Sequence, residues 1–230
     1  EKGLHHLAIS PDGGRRWARL QGLDLSAGHR KAARETLVPL VALLFGWDVH
    51  TVTLWLFGTG HWHRDKEMVD NLLHYIGDFL LLATELAIKN EIKIIILGRK
   101  DRLPAFLLTI IDDAHEKTKT YSKHILNVAI DYSGRDEINR ACVRVLESGM
   151  SKDNLSVENF EQYLDTAHQP YPHPDILIRT SGDQRNSDFM AWQLVFTELY
   201  FTRILFPDFD AISLKEAIIY FSKRTRRFSR

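Results

Sequence analysis

The sequence contains a single cysteine, Cys142, among its 230 residues. One cysteine cannot form an internal disulfide, which excludes a disulfide-stapled scaffold and favours a reducing compartment, so we expect a cytoplasmic protein. The formal net charge is zero, because 30 basic residues balance 30 acidic ones. The overall field therefore gives no attraction for nucleic acid, and peripheral contact with a membrane is the most we expect. Any anion site must be local.

Long uninterrupted apolar runs are also missing. The most apolar stretch, residues 72–88, is broken by His74, Asp78 and Glu85, which makes it too polar and too short for a membrane span. No repeat, low-complexity tract or long linker divides the chain. Because 230 residues can bury one substantial core, residues 1–230 are predicted to form a single domain.

Short β-rich runs alternate with longer amphipathic stretches along the chain. The runs lie at residues 7–9, 51–57, 92–97, 125–130 and 176–178, and the helical stretches at about 29–46, 66–90, 103–119, 135–149 and 213–227. Strands that are apolar on both faces, each followed by a helix, predict an α/β fold with a central, mostly parallel sheet flanked by helices. Pro39 is expected to kink the first helix, and Ser213 to open the last one with a capping box.

The segment after the first predicted strand, PDGGRRW at residues 11–17, combines an acid, two glycines and two arginines. In parallel sheets, ligands bind beyond the carboxyl ends of the strands. Glycines let the backbone approach a phosphate, arginines neutralise it, and Asp12 beside them suits a Mg²⁺ ion bridging the same phosphate. The spacing matches neither the P-loop nor the dinucleotide fingerprint. An ordinary β-to-α turn with solvated arginines therefore stays open.

A second cluster follows the apolar strand at residues 176–178. Arg179, Arg185 and Ser187 could cradle a second diphosphate, and the later Glu198 could share the metal with Asp12. The alternative is that both arginines form salt bridges with acids of the same loop. Taken together, the two clusters predict a site for two diphosphates.

These blocks resemble the cis-prenyltransferase family, of which undecaprenyl diphosphate synthase is typical. The resemblance covers nearly the whole chain. It is carried, in order, by HLAISPDGGRRWAR (6–19), GHRKA (28–32), LFGTGHWHR (56–64), LIRTSGDQRNSDFMAWQLVFTELYF (177–201), FPDFD (206–210) and RTRRF (224–228).

The resemblance implies a Mg²⁺-dependent enzyme that binds an allylic diphosphate at the first loop and isopentenyl diphosphate at the second. A hydrophobic tunnel between the sheet and two helices, around residues 37–45 and 72–82, would hold the prenyl chain. The family also implies a homodimer, with Arg226 or Arg227 reaching the partner's isopentenyl site. The implied catalytic residues are Asp12, His61 and Arg64, the substrate-binding residues are Gly13, Gly14, Arg15, Arg16, Trp17, His29, Trp62, Arg179, Arg185 and Ser187, and the metal ligands are Asp12 and Glu198.

Five positions depart from the family pattern. Gly14, Leu25, Gly58, Gly60 and His61 stand where the family usually has Asn, Arg, Ser, Glu and Asn, all around the allylic substrate. Three functions therefore stay open: regular condensation to a Z-prenyl diphosphate, irregular lavandulyl-type condensation of dimethylallyl diphosphate, and a non-catalytic subunit. The third is disfavoured because such subunits typically lose the aspartate that Asp12 provides here.

His61 has three interpretations of its own. A transition-metal pair with His63 lacks a visible third ligand. A histidine near neutrality can serve as a general base or as a hydrogen-bond donor to diphosphate, and the family position of His61 favours one of these. A solvated loop histidine without a role remains the alternative.

Overall fold

Six parallel strands form one sheet in the order β3-β4-β2-β1-β5-β6 in the computed structural model, which describes residues 3–225. The strands are β1 (His6–Ser10), β2 (Thr51–Gly58), β3 (Ile92–Leu97), β4 (His124–Tyr132), β5 (Ile176–Arg179) and β6 (Glu198–Phe201). The α/β prediction is confirmed, and so are its five strands. The sixth, β6, was not predicted, because an edge strand of four residues carries no period of its own.

Helices cover both faces of this sheet. They are α1 (Gly14–Leu20), α2 (Ala27–Lys31), α3 (Leu37–Gly46), α4 (Lys66–Asn90), α5 (Ala105–Thr118), α6 (Gly134–Glu147), α7 (Val157–Glu161) and α8 (Ala211–Ser222). Both β1 and β4 are buried at every position, which explains why they read as nearly continuous apolar runs. The larger core packs α3, α4, α5 and α8 on one face, and a smaller cluster around Tyr132, Phe189 and Met190 covers the other.

The predicted helix at 29–46 is three segments. Between α2 and α3 lies a π-helical turn, Ala32–Thr36. Pro39 has no N–H to donate to the carbonyl of Glu35, and its ring would crowd that carbonyl. The irregularity predicted at Pro39 thus takes the form of a π-turn just before it, a feature frequent at functional sites.

The last helix begins differently from its prediction. Asp210, not Ser213, caps it, since the Asp210 carboxylate accepts the Ser213 N–H at 2.9 Å. The capping-box prediction at Ser213 was therefore wrong, and the helix ends at Ser222.

By length and composition α4 could cross a membrane, contrary to the sequence estimate, but half of its most apolar window is buried inside this protein. That burial is the behaviour of a core helix. It places the inward face of α4 against the sheet beside the site described next.

Candidate active site

Three loops meet at the carboxyl edge of the sheet. They follow β1, β2 and β5, which are neighbours in the order β2-β1-β5. The chain winds from β1 to one side through β2 and returns on the other through β5, so this point is the topological switch where open α/β sheets bind ligands. A cavity of about 530 Å³ opens there.

The cavity has a charged mouth and an apolar interior. Its charged lining consists of Arg15, Arg16, Arg19, Arg64, Arg179, Arg185, Asp12 and Asp183. Its apolar lining includes Ala32, Ala33, Leu37, Leu56, Leu72, Ile76, Phe79 and Phe206. The predicted tunnel helices thus both contribute, although Leu73 and Leu80 are core residues and Leu82 is exposed. An anion with a hydrocarbon tail matches this division.

The loop after β1 is held by reciprocal hydrogen bonds. The Asp12 N–H donates to Thr180 Oγ1, and the Thr180 hydroxyl donates back to the Asp12 carbonyl, both at 2.8 Å. Gly13 follows with φ +105°, and a Cβ there would lie 2.8 Å from Leu205 Cδ2. Only glycine suits this turn. The loop is therefore fixed directly to the residues after β5.

Arg179 organises the second loop. It is 4% exposed, and its guanidinium donates to the Arg185 carbonyl and to Ser187 Oγ, both at 2.6 Å. It also contacts Asp183 at 3.2 Å, and Arg185 contacts the same carboxylate at 2.7 Å. The salt bridges that were the alternative to a diphosphate site do form with Asp183. The arginines nevertheless line the cavity.

The two loops are joined across the cavity mouth. Arg179 donates to Asp12 Oδ2 at 3.1 Å. Arg16 donates to the Ser181 carbonyl at 2.8 Å and to its hydroxyl at 2.5 Å. Ser181 and Ser187 have positive φ angles, 78° and 52°, and such strain persists where surroundings over-determine the backbone. The charged groups are thus held in place before any ligand binds.

Part of the positive charge at the mouth has no carboxylate partner. In the described part of the chain, Arg15 and Arg64 make no ion pair, and the buried Nε atoms of Arg15 and Arg179 have no hydrogen-bond partner. Burial and the nearby Arg15 charge lower the pKa of Arg64. Buried donors without acceptors are costly. An anion would satisfy them.

His61 is neutral and oriented. Burial, together with the Arg64 charge, lowers its pKa from 6.5 to about 3. Its Nδ1 accepts the Gly58 N–H at 3.2 Å, which leaves the proton on Nε2. A ring in this tautomer donates and has no free lone pair with which to take a proton. The geometry therefore favours the donor interpretation over the general base.

His29 lines the same cavity as His61. Burial, with the charges of Arg64 and Arg15, lowers the pKa of His29 to about 4. Its Nε2 is buried without a partner in the described residues. This nitrogen is a further polar atom directed at no protein group.

Three predicted site residues lie elsewhere. The Trp17 indole donates to Asp208 at 2.8 Å on the surface, and the Trp62 indole donates to Asp131 at 2.8 Å; neither lines the cavity. Glu198 pairs in register with Ile176 at the opposite end of β5 and binds Arg224 at 2.9 Å. Within one chain, the prediction that Asp12 and Glu198 share a metal ion is therefore wrong.

The described residues contain no group of three side chains suited to a metal ion. Asp12 alone fits a different arrangement, because its carboxylate lines the cavity and its side chain is 38% exposed. Mg²⁺ commonly takes one or two carboxylates plus substrate phosphates. The donor set present thus fits an ion that arrives with a diphosphate.

Several lining residues were given no role by the sequence reasoning, among them Arg19, Trp55, Tyr75 and Asp183. Arg19 could have been found, because it lies one helical turn from Arg15. Nothing in the local sequence points to the other three. Arg226 and Arg227 lie outside the described residues.

A second cavity of about 180 Å³ adjoins the first and shares Arg15, His29, Leu72 and Tyr75 with it. Leu25, where the family usually has arginine, lines this smaller space. Its other lining residues include the acids Asp24, Asp65 and Glu67.

Known proteins are similar along nearly the whole chain. The family model described as "Putative undecaprenyl diphosphate synthase" matches residues 11–229. Dehydrodolichyl diphosphate synthase 3 of Arabidopsis thaliana is 39% identical over 97% of this chain and 75% of its own length. An isoprenyl transferase of Aquifex aeolicus is 38% identical over 98% and 95%. Lavandulyl diphosphate synthase from Lavandula x intermedia, solved with dimethylallyl diphosphate, superposes with a TM-score of 0.91, 32% identity and 98% coverage of both chains.

Proposed function

Because the chain belongs to the cis-prenyltransferase family, we propose that it transfers the prenyl group of an allylic diphosphate to isopentenyl diphosphate and forms a Z double bond. One observation carries this proposal: an arginine-rich mouth with unsatisfied buried donors opens into an apolar interior. A prenyl diphosphate has both of these chemical halves. The allylic C–O bond breaks, the isopentenyl double bond attacks the allylic carbon, and a proton is lost.

The allylic diphosphate would bind between the loop after β1 and the turn after β2. Arg15, Arg16 and Arg64 line this half and neutralise charge that grows on diphosphate as it leaves. Stabilising developing charge by fixed donors is commonly the largest catalytic term. The neutral His61 would donate a further hydrogen bond, with no charge to desolvate. The prenyl tail would lie along Leu72, Ile76 and Phe79.

Isopentenyl diphosphate would bind at Arg179, Arg185 and Ser187. The hydrogen bonds of Arg179 to Ser187 and to the Arg185 carbonyl hold all three in one cluster. Its contact with Asp12 ties the two substrate sites together at 3.1 Å. Fixing two reactants in this way contributes several kcal/mol to catalysis, about 7–11 in favourable cases.

Asp12 would hold Mg²⁺ together with the diphosphate oxygens. When bound, the ion neutralises leaving-group charge. Asp12 is presented to the cavity by its reciprocal backbone bonds with Thr180. Asp12→Asn is expected to abolish Mg²⁺-dependent turnover while leaving the fold intact, as measured by product formation and thermal melting.

A second candidate is irregular condensation of dimethylallyl diphosphate. It is favoured by the likeness to lavandulyl diphosphate synthase and by glycines at three allylic-site positions. One assay separates the two: incubate the protein with dimethylallyl diphosphate alone, then with isopentenyl diphosphate added, and identify the dephosphorylated alcohols by mass spectrometry. A branched product in the first incubation rejects the regular reaction. Linear Z products that require isopentenyl diphosphate reject the irregular one.

A homodimer in the cytoplasm completes the proposal. The edge strand β6 and the helix that follows its loop expose Leu199 and Ile212, which are 41% and 70% accessible. Unpaired edges and apolar patches are typical of interfaces. Ile212→Glu is expected to give a monomer in sedimentation velocity, whereas Leu146→Glu, on an exposed part of α6, should leave the oligomer unchanged.

A further inference from the structure

The turn after β2 has to hold two cavity-lining side chains, His61 and Arg64, although it contains two glycines. Two hydrogen bonds shape it: Gly58 N–H to His61 Nδ1 at 3.2 Å, and Arg64 N–H to the His61 carbonyl at 3.0 Å. Both bonds lie within residues 58–64. They define the local conformation of the turn but do not attach it to the rest of the protein.

An anchor outside the turn is supplied by Asp131 at the end of β4. The Trp62 indole donates to Asp131 Oδ1 at 2.8 Å. This carboxylate has no exposed surface, and Arg102 donates to its two oxygens at 2.8 and 2.5 Å. The Arg102 guanidinium also lies 5.8 Å from the Trp62 ring centroid. Indole, carboxylate and guanidinium thus form one closed cluster, here called the Asp131 clamp.

The clamp reaches the site through aromatic packing. Trp62 meets Phe57 edge-on with centroids 5.0 Å apart, and Phe57 meets His61 in the same way at 5.1 Å. Phe57 is fully buried. Fixing the Trp62 ring therefore restricts the His61 ring and the backbone that carries Arg64.

The backbone of Asp131 is itself unusual, with φ +49°. Aspartate and asparagine tolerate this left-handed region better than most residues. Such a conformation persists where its surroundings over-determine it. Here these surroundings are the clamp contacts and the N–H of Arg99, which donates to the Asp131 carbonyl.

We propose that Asp131, acting with Arg102 through Trp62, is a positioning residue for the allylic half of the reaction. This rests on the proposed function, in which Arg64 and His61 bind the allylic diphosphate. Misplacing such groups by about 1 Å costs on the order of 100-fold in rate. The isopentenyl half is organised by Arg179, whose hydrogen bonds involve none of the clamp residues, so loss of the clamp is expected to act mainly on the allylic substrate.

Steady-state kinetics test the selectivity. Asp131→Ala and Trp62→Phe are each expected to lower kcat/KM for the allylic diphosphate at least about tenfold, while KM for isopentenyl diphosphate changes less than twofold. The double variant should be no worse than the more impaired single one, because both changes remove the same hydrogen bond between Trp62 and Asp131. Asp131→Asn keeps an acceptor for the indole and should recover part of the loss. Asp101→Asn, which removes the charge of an exposed partner of Arg99 in the same loop, is the matched control without effect.

A merely structural role predicts a different pattern. It would reduce the fraction of correctly folded enzyme, so kcat would fall with both KM values unchanged. The activity of Asp131→Asn would then follow its thermal stability alone. That outcome overturns the proposal. So does an equal rise of KM for both substrates.

Amide hydrogen exchange tests the clamp without any substrate. In Asp131→Ala, exchange at residues 58–64 is expected to rise while exchange at 179–187 stays at the wild-type rate. If wild-type protein forms no product from these diphosphates, the proposed function fails and the clamp is judged by exchange. Unchanged protection of residues 58–64 refutes the clamp whatever the activity.

Discussion

Replacing His61 tests whether this ring gives a hydrogen bond or takes up a proton. Its pKa of about 3 and its Nδ1 contact with the Gly58 N–H leave Nε2–H as the available group. At neutral pH the ring can therefore donate to a diphosphate oxygen but cannot accept a proton there. Asparagine keeps a side-chain donor and lacks a base, which separates the two roles.

The expected magnitude follows from the charge of the acceptor. A hydrogen bond to a charged group contributes about 1.5–3 kcal/mol, and about 1.4 kcal/mol corresponds to a tenfold change in rate. His61→Ala should therefore lower kcat/KM for the allylic diphosphate by about 10- to 150-fold. His61→Asn should retain most of the wild-type value. His63→Asn, exposed and outside the cavity lining, is the control.

The assay is kcat/KM for the allylic substrate between pH 5.5 and 9. Because protonation of folded His61 requires pH values near its pKa of about 3, the ring stays neutral throughout this range. The wild-type and His61→Asn profiles should run parallel. An acidic limb near pH 6–7 in the wild type that disappears in His61→Asn would refute the donor role and restore the general base.

Three further predictions concern packing, acid stability and the isopentenyl site. A Cβ on Gly28 would lie 2.0 Å from the Gly14 carbonyl oxygen, so Gly28→Ala should lower the free energy of unfolding by about 1–3 kcal/mol or more, as measured by urea titration. His6 and His29 have folded pKa values of about 3 and about 4, below the ordinary 6.5, so the native state binds fewer protons than the unfolded one. The contribution of these two histidines to the free energy of unfolding should be fully present above pH 6.5. Toward pH 4 it should fall by up to about 1.4 kcal/mol per pH unit for each histidine. His6→Gln should flatten this slope, and an equal slope would contradict it. Arg179→Lys loses the planar fork and should raise KM for isopentenyl diphosphate about tenfold, with an unchanged KM counting against the assignment.

The parts of the fold that could be predicted are those in which burial determines the residue types. β1, β4 and β5 are covered on both faces, so nearly every position is apolar or internally hydrogen-bonded, and the runs stand out. The loops after β1 and β5 could be found for a related reason. Arginine, glycine and serine directly after such a run have few structural explanations.

What could not be predicted depends on distances between separate segments. The place of Glu198 follows from the register of β6, and a four-residue edge strand has no sequence signal that fixes its register. The contact of Trp62 with Asp131 joins residues 69 positions apart. A tryptophan in a family block is equally compatible with substrate contact and with packing, and only the fold distinguishes them.

The glycine at position 14 has a structural cause in its neighbour. A Cβ on Gly14 would lie 3.1 Å from His29 Nδ1 and 3.2 Å from His29 Cε1, both tighter than ordinary van der Waals contact. The His29 ring thus occupies the side of the loop where a larger residue at 14 would extend. Restoring asparagine at 14 requires His29 to move.

Gly58 is constrained in the same way, and more firmly. A Cβ there would lie 2.8 Å from Trp55 Cζ2. The Trp55 indole cannot move away freely, because it stacks on Phe189 at 5.1 Å and donates to the Tyr132 carbonyl at 3.1 Å. Gly60, by contrast, has nothing within 4 Å of an added Cβ. The three glycine positions therefore differ in the space available for a side chain. Aromatic rings fill that space at positions 14 and 58, whereas position 60 can accept a Cβ without rearrangement. A single return to the family residue at 14 or 58 would consequently strain this site before it changed the chemistry.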